Sequence, residues 1–223
     1  MKSNLFLRVI IFLFCFFSSH TLYAEPLNEA EARKWVEEKG QQLLTTFGET
    51  DIAKKYAELD EMMVAYIDFD YVSKFVMGRY WRQMSTDQQT AYRDLFKRYA
   101  LSIYKGFPLD FDSNKIDFEV VKIIPDDRKT VVRIKIHLDK ERVNEQNPIA
   151  DIFIDFHLRQ QNNAIKIIDL KLGESSLILS YRSRFYEMIA KNDDDIEWFM
   201  EDLRDITEAA ERTVEEKLHQ AEY

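Results

Sequence analysis

Cysteine is nearly missing from this chain: Cys15 is the only one in 223 residues. It sits in an apolar amino-terminal stretch, so neither a disulfide framework nor thiol chemistry is expected of the body of the protein. Glycine and proline are also scarce, at five and four copies. The glycines (Gly40, Gly48, Gly78, Gly106, Gly173) are scattered and build no phosphate-binding loop. Histidine is limited to His20, His137, His157 and His219, too few for a convincing zinc site. No nucleophile elbow presents a serine for acyl transfer. No apolar run reaches the roughly 20 residues that span a membrane. Positive charge is in deficit, with 31 Lys+Arg against 40 Asp+Glu and a net charge of −9. Such a surface repels nucleic acid and anionic bilayers alike.

The features that are present begin at the amino terminus. Lys2 and Arg8 precede an unbroken apolar run from Val9 to Phe17, and Leu22-Tyr23-Ala24 closes the segment on a small residue. That order predicts a secretory signal peptide over residues 1–24, cleaved after Ala24. Residues 25–223 are then the working protein, read as one domain that ends in an acidic helical tail over 205–223. Removing two positive charges and no acids leaves it at −11.

The next hundred residues carry helical periodicity. Ala32, Val36, Leu43 and Phe47 share a face over 29–47, and Ile52, Tyr56, Leu59, Met63 and Tyr66 do so over 51–66. A short helix is expected over 71–83. Ser85 and Gln88 have capping-box spacing and open a helix with Tyr92, Leu95, Phe96, Tyr99 and Ile103 inward, ended by Gly106 and Pro108.

The period then changes to two. Segments 116–124, 130–138, 150–158 and 164–172 read as strands, with turn signals at Pro125-Asp126-Asp127, Asn144 to Pro148 and Asn162-Asn163. Helices resume over 176–190 and, after helix-start carboxylates at Asp193 to Asp195, run on to about Ala221. The expected fold is α+β: a four-stranded curved antiparallel sheet with helices before and after it on its apolar face.

Candidate chemistry is thin. His137 and His157 fall on the polar face of neighbouring strands, where they read as solvated side chains. Asp68 and Asp70 read as helix caps, and Asp193 to Asp195 as another helix start. Apolar stripes face an apolar sheet, and they either pack solid or stand apart around a ligand cavity. Periodicity does not separate those two outcomes.

Two stretches carry a family resemblance. DFDYVSKFVMGRYWRQMSTDQQTAYRDLFKRYALSIY, through Asp68, Phe69, Asp70, Met77, Gly78, Tyr80, Trp81, Gln88, Tyr92, Phe96 and Tyr104, resembles the central signature of the MlaC (toluene-tolerance) family of periplasmic phospholipid-binding proteins. IIDLKLGESSLILSYRSRF, through Asp169, Ser176, Leu177, Tyr181, Arg182 and Phe185, is similar to a second family element. The chain departs from the family pattern at Gly173 to Ser176, at Ile165 where a tryptophan is usual nearby, at Asn192-Asp193, and in its longer acidic tail.

The resemblance implies a periplasmic lipid carrier, not an enzyme, without cofactor, acting as a monomer with phospholipid as cargo. It would work between an inner-membrane ABC transporter complex, with its membrane-anchored substrate-binding subunit, and an outer-membrane lipoprotein–porin complex, maintaining outer-membrane lipid asymmetry. No nucleic acid is expected as a partner. The expected cavity lining is Phe75, Met77, Tyr80, Phe96, Tyr99, Ile103, Ile134, Ile136, Ile154, Phe156, Leu177 and Tyr181. Arg79 and Arg182 are expected as headgroup contacts, against a reading of each as a surface ion pair. Two other classes stay open on the residues alone. One is an exported enzyme using Asp169 or a buried tyrosine on an apolar substrate; the other is an adaptor binding through its carboxy-terminal helix.

Overall fold

The structure is a computed structural model that describes residues 27–106, 115–126, 128–138 and 152–221. The expected signal peptide, Pro108 and the Asn144 to Pro148 turn lie outside the described residues.

Each helix begins where a side chain can satisfy its free amides. Asn28 caps α1 (Glu29–Phe47) and Asp51 caps α2 (Ile52–Tyr66). Asp68 caps α3 (Phe69–Met77) through the Tyr71 N–H at 2.9 Å. At α4 (Thr86–Gly106) the capping box closes in both directions: the Ser85 N–H donates to Gln88 Oε1 at 2.8 Å, and the Gln88 N–H donates to Ser85 Oγ at 3.2 Å. Ser176 caps α5 (Leu177–Lys191), and Asp195 caps α6 (Ile196–Ala221) through the Glu197 and Trp198 amides. The single helix expected over 71–83 is instead α3 followed by a 3-10 turn, Tyr80–Gln83. The break falls at Gly78, whose φ of +51° no helix accommodates.

The sheet is an antiparallel meander in the order β1 (Ile116–Asp126), β2 (Lys129–Leu138), β3 (Ile152–Gln161), β4 (Ala164–Leu172) and β5 (Ser175–Ser176). It has five strands where the sequence suggested four. Two residues are too short to show alternation, and the turn through Gly173, at φ +58°, folds Ser175 back onto Leu172. Asn162 and Asn163, both at positive φ, form the two-residue turn of the β3–β4 hairpin. Bulges at Val121 and at Ile168 bend the sheet. The second of these keeps Ile165, Ile167, Leu170 and Leu172 on one face although Ile167-Ile168 breaks the alternation.

Two apolar cores result. In the first, α1 lies on the sheet and Ala32 and Val36 meet Val132, Ile134 and Leu158. Gly40 leaves room there for the Phe118 ring, which a Cβ at that position would displace. In the second, α3 to α6 enclose a cluster of rings centred on Phe185, which is fully buried. Its centroid lies 5.3 Å from Phe199, 5.7 Å from Tyr99 and 6.0 Å from Phe96, in tilted or edge-on geometry. Much of the apolar series of α6 is spent within its own chain: Phe199, Met200 and Leu203 enter this core, Val214 is buried farther along, and α6 packs along α4. That corrects the reading of this face as a partner-binding seam.

Candidate functional site

Between the two cores the layers do not close. α1 and α2 form an antiparallel hairpin, joined by Thr46 to Glu58 and by Tyr66 to Gln42. The hairpin stands off from α4, α5 and the inner face of β4, leaving a cavity of about 530 Å³. Leu43 and Phe47 of α1 and Leu59, Met62 and Met63 of α2 form one side. Phe96, Ala100 and Ile103 of α4 form a second, and Phe156, Ile167, Ile168 and Leu170 of the sheet form the floor. Leu177, Ile178 and Tyr181 of α5 complete it. Leu177 is 45 % exposed while lining the cavity, so the space reaches the surface beside the start of α5.

The lining is almost wholly apolar, and most of its few polar groups are engaged. Asp169 accepts from Ser176 Oγ at 2.7 Å and from the Ile178 N–H at 3.2 Å, which ties its carboxylate to the start of α5. Tyr104 donates to Asp60 at 2.5 Å and Tyr66 to Gln42 at 3.0 Å. Lys39 lies over the Tyr66 ring at 5.0 Å. Burial pushes the Tyr181 hydroxyl up to about 12, so it stays neutral across physiological pH. The arrangement can hold a long apolar molecule. Among the described residues no group of three or more His, Cys, Asp or Glu is placed to hold a metal ion.

Five of the twelve residues expected to line the cavity do so: Phe96, Ile103, Phe156, Leu177 and Tyr181. Met77, Tyr80 and Tyr99 are buried in the helical core, with Phe75 packed at its edge. Ile134, Ile136 and Ile154 lie in the core between sheet and α1. Periodicity told which way each points but not which of the two cores it enters. The residues not foreseen as lining come mainly from α1 and α2: Trp35, Leu43, Phe47, Leu59, Met62, Met63 and Tyr66. Several were already visible as inward stripes on those helices. Ile168, the bulged residue of β4, also lines the cavity, which alternation does not reveal.

Arg79 and Arg182 are away from the cavity lining. Both surround Gly78: the Arg79 guanidinium donates to Tyr80 at 2.8 Å, the Arg79 N–H donates to the Tyr186 hydroxyl at 3.1 Å, and Tyr80 donates to Asp194 at 2.6 Å. The Arg182 guanidinium stacks on Phe75 at 4.3 Å. A Cβ on Gly78 would stand 2.3 Å from both Arg182 and the Tyr186 oxygen, in a left-handed backbone conformation. Gly78→Ala is therefore expected to destabilise the fold by about 2 kcal/mol, read as a lower urea midpoint at unchanged m-value.

The two histidines on the outer face are not neighbours. Register sets His157 opposite Val131, six residues along β2 from His137, or about 20 Å. His137 Nε2 lies 3.2 Å from Glu119. His157 lies 3.3 Å from Lys129 and 3.9 Å from Asp169, with Asp155 and Lys171 nearby. Burial first, then Lys129, lower its affinity for a proton. Below about pH 6.5 the unfolded chain takes up this proton more readily than the native one. The stabilising contribution of neutral His157 is thus present above that pH and is lost as pH falls through the folded-state value. An NMR titration is expected to place the His157 midpoint below 6.5. The stability gap between wild type and His157→Gln should change between pH 7 and 5 in that direction.

The family model described as MlaC protein matches residues 40–205. The chain belongs to the MlaC family. The match begins inside α1, passes through every wall of the cavity and ends in the first half of α6. Among solved structures, the phospholipid-binding protein from Ralstonia solanacearum in complex with a phospholipid superposes with a TM-score of 0.63 at 20% identity. The superposition covers 80% of this chain and 98% of that one, so the two share a fold. No curated protein matches the chain. In this MlaC-family protein no helix of the described residues is long and apolar enough to cross a membrane.

Proposed function

We propose that the protein is a periplasmic phospholipid carrier. The observation that carries this reading is the apolar cavity, open at one side, in a chain of the MlaC family. Its volume of about 530 Å³ lies within the range of about 300–1,000 Å³ typical of ligand sites. Every methylene moved from water into such a space gains about 0.8 kcal/mol, so acyl chains are the cargo it favours, with the headgroup left at the Leu177 opening. The phospholipid bound to the Ralstonia protein on the same fold agrees with this reading.

The carrier takes lipid from one membrane's complex and delivers it to the other's. Its partners are an inner-membrane ABC transporter with a membrane-anchored substrate-binding subunit and an outer-membrane lipoprotein–porin complex. Export follows from residues 1–24, and the charge of −11 that remains keeps the carrier off anionic bilayers and favours docking on proteins. The test is extraction of protein purified without detergent. About one diacyl phospholipid per chain is the expected yield; protein that arrives bare and takes up none from vesicles would refute the carrier reading.

A further inference from the structure

The family match stops at residue 205, yet α6 continues for another sixteen residues, to Ala221. This second half is not a loose tail. Thr207 and Val214 are buried. The Arg98 guanidinium on α4 forks onto Glu211, at 3.0 and 2.7 Å. Nearly two turns beyond, Lys217 Nζ donates to the Lys105 carbonyl at 3.1 Å.

That carbonyl belongs to a polar knot behind the cavity. It also accepts from Tyr56 of α2 at 3.1 Å, while Lys105 Nζ pairs with Asp60 of α2 at 2.6 Å and Tyr104 donates to the same carboxylate at 2.5 Å. The knot thus ties the first half of α2 to the end of α4, with the end of α6 seated on it. The far end of α2 is anchored separately: Ile67 bridges to Ile167, and Lys166 Nζ donates to the Ala65 carbonyl. Between these two fixings lie Met62 and Met63, which form part of a cavity wall. A helix anchored at one end and held by polar contacts at the other swings about its anchor when those contacts open. Besides the knot, the last turn of α1 holds the same half of α2 through Thr46 and Glu58.

We propose that the carboxy-terminal half of α6 is a brace that holds α2 against α4 and so sets how fast cargo leaves the cavity. Lys217 and the Arg98–Glu211 pair are its positioning residues. The proposal rests on the carrier reading for its cargo, but the holding of α2 is a property of the protein alone.

The test uses the full chain and two point variants, Lys217→Met and Arg98→Leu, each of which keeps the aliphatic stem that packs. Proteins are loaded with phosphatidylglycerol carrying a fluorescent acyl chain, and release into unlabelled vesicles is timed. Each variant is expected to load as wild type does but to release roughly fivefold faster, the factor that one ordinary hydrogen bond controls. Lys217→Arg, which keeps the donor, is expected to restore the slow rate. Amide exchange should rise in 52–66 and stay unchanged in 116–138. Wild-type release rates in both point variants, or faster release without faster exchange in 52–66, would overturn the brace. If wild type itself loads no lipid, the carrier reading fails; the brace then stands on a rise in exchange over 52–66 and falls without one.

Discussion

Ala100→Trp is expected to empty the cavity while leaving the fold standing. Ala100 is the smallest side chain that α4 turns toward the void, with Phe96 and Ile103 a turn to either side. An indole placed there fills space that packing has left open, so the usual overpacking penalty of about 1–3 kcal/mol is largely avoided. It also occupies the room an acyl chain needs. Excluding ten methylenes removes about 8 kcal/mol of favourable transfer, far more than rearrangement of the hairpin can recover. Phospholipid co-purifying with the variant is expected to fall at least about tenfold, with a melting temperature near that of wild type. Val64→Trp, on the outer side of α2 where Val64 is exposed, is the matched control and should carry wild-type lipid.

Asp68→Ala is expected to be the most damaging single change to stability. Asp68 is buried and serves three purposes at the α2–α3 junction. Its backbone N–H donates to the Ile167 carbonyl, one carboxylate oxygen caps α3, and the other pairs with Arg159 of β3. The Arg159 guanidinium lies over the Tyr71 ring at 4.6 Å, so the pair is fixed from both sides. Removing the carboxylate leaves a partly buried cation without its counter-charge, a loss of about 3 kcal/mol, and removes a helix cap worth about 1 kcal/mol. Together these predict a melting temperature lower by about 10 °C. Asp68→Asn, which retains a capping oxygen, should lose less. Because the junction also positions Phe69 and Val72 in the cavity wall, Asp68→Ala is further expected to release lipid faster at temperatures where it stays folded.

Much of this architecture is legible in the residues. Ser85 with Gln88, Asp68, and the run Asp193 to Asp195 mark helix starts by local chemistry, and such caps act at short range, so the surrounding fold changes little. Alternation marked four strands for the same reason. What escaped was decided by tertiary geometry. Ile134 and Ile103 are equally apolar and equally inward; only the placement of the hairpin makes one a core residue and the other cavity lining. Arg79 and Arg182 look like headgroup ligands because they flank signature residues. The left-handed turn at Gly78 instead directs them to Tyr80, Tyr186, Asp194 and Phe75. A void leaves no periodic signature, since it is made of side chains that would otherwise have touched one another.

The central claim is the place of the cargo: acyl chains lie between the α1–α2 hairpin and the sheet, not on an outer face. A phosphatidylglycerol with a photoreactive diazirine near the end of one acyl chain tests it directly. After loading and irradiation, peptide mass spectrometry is expected to find adducts on 43–66, 96–104 and 167–181, the segments that line the cavity. Adducts confined to the outer face of the sheet or to the Arg79–Arg182 cluster would contradict it.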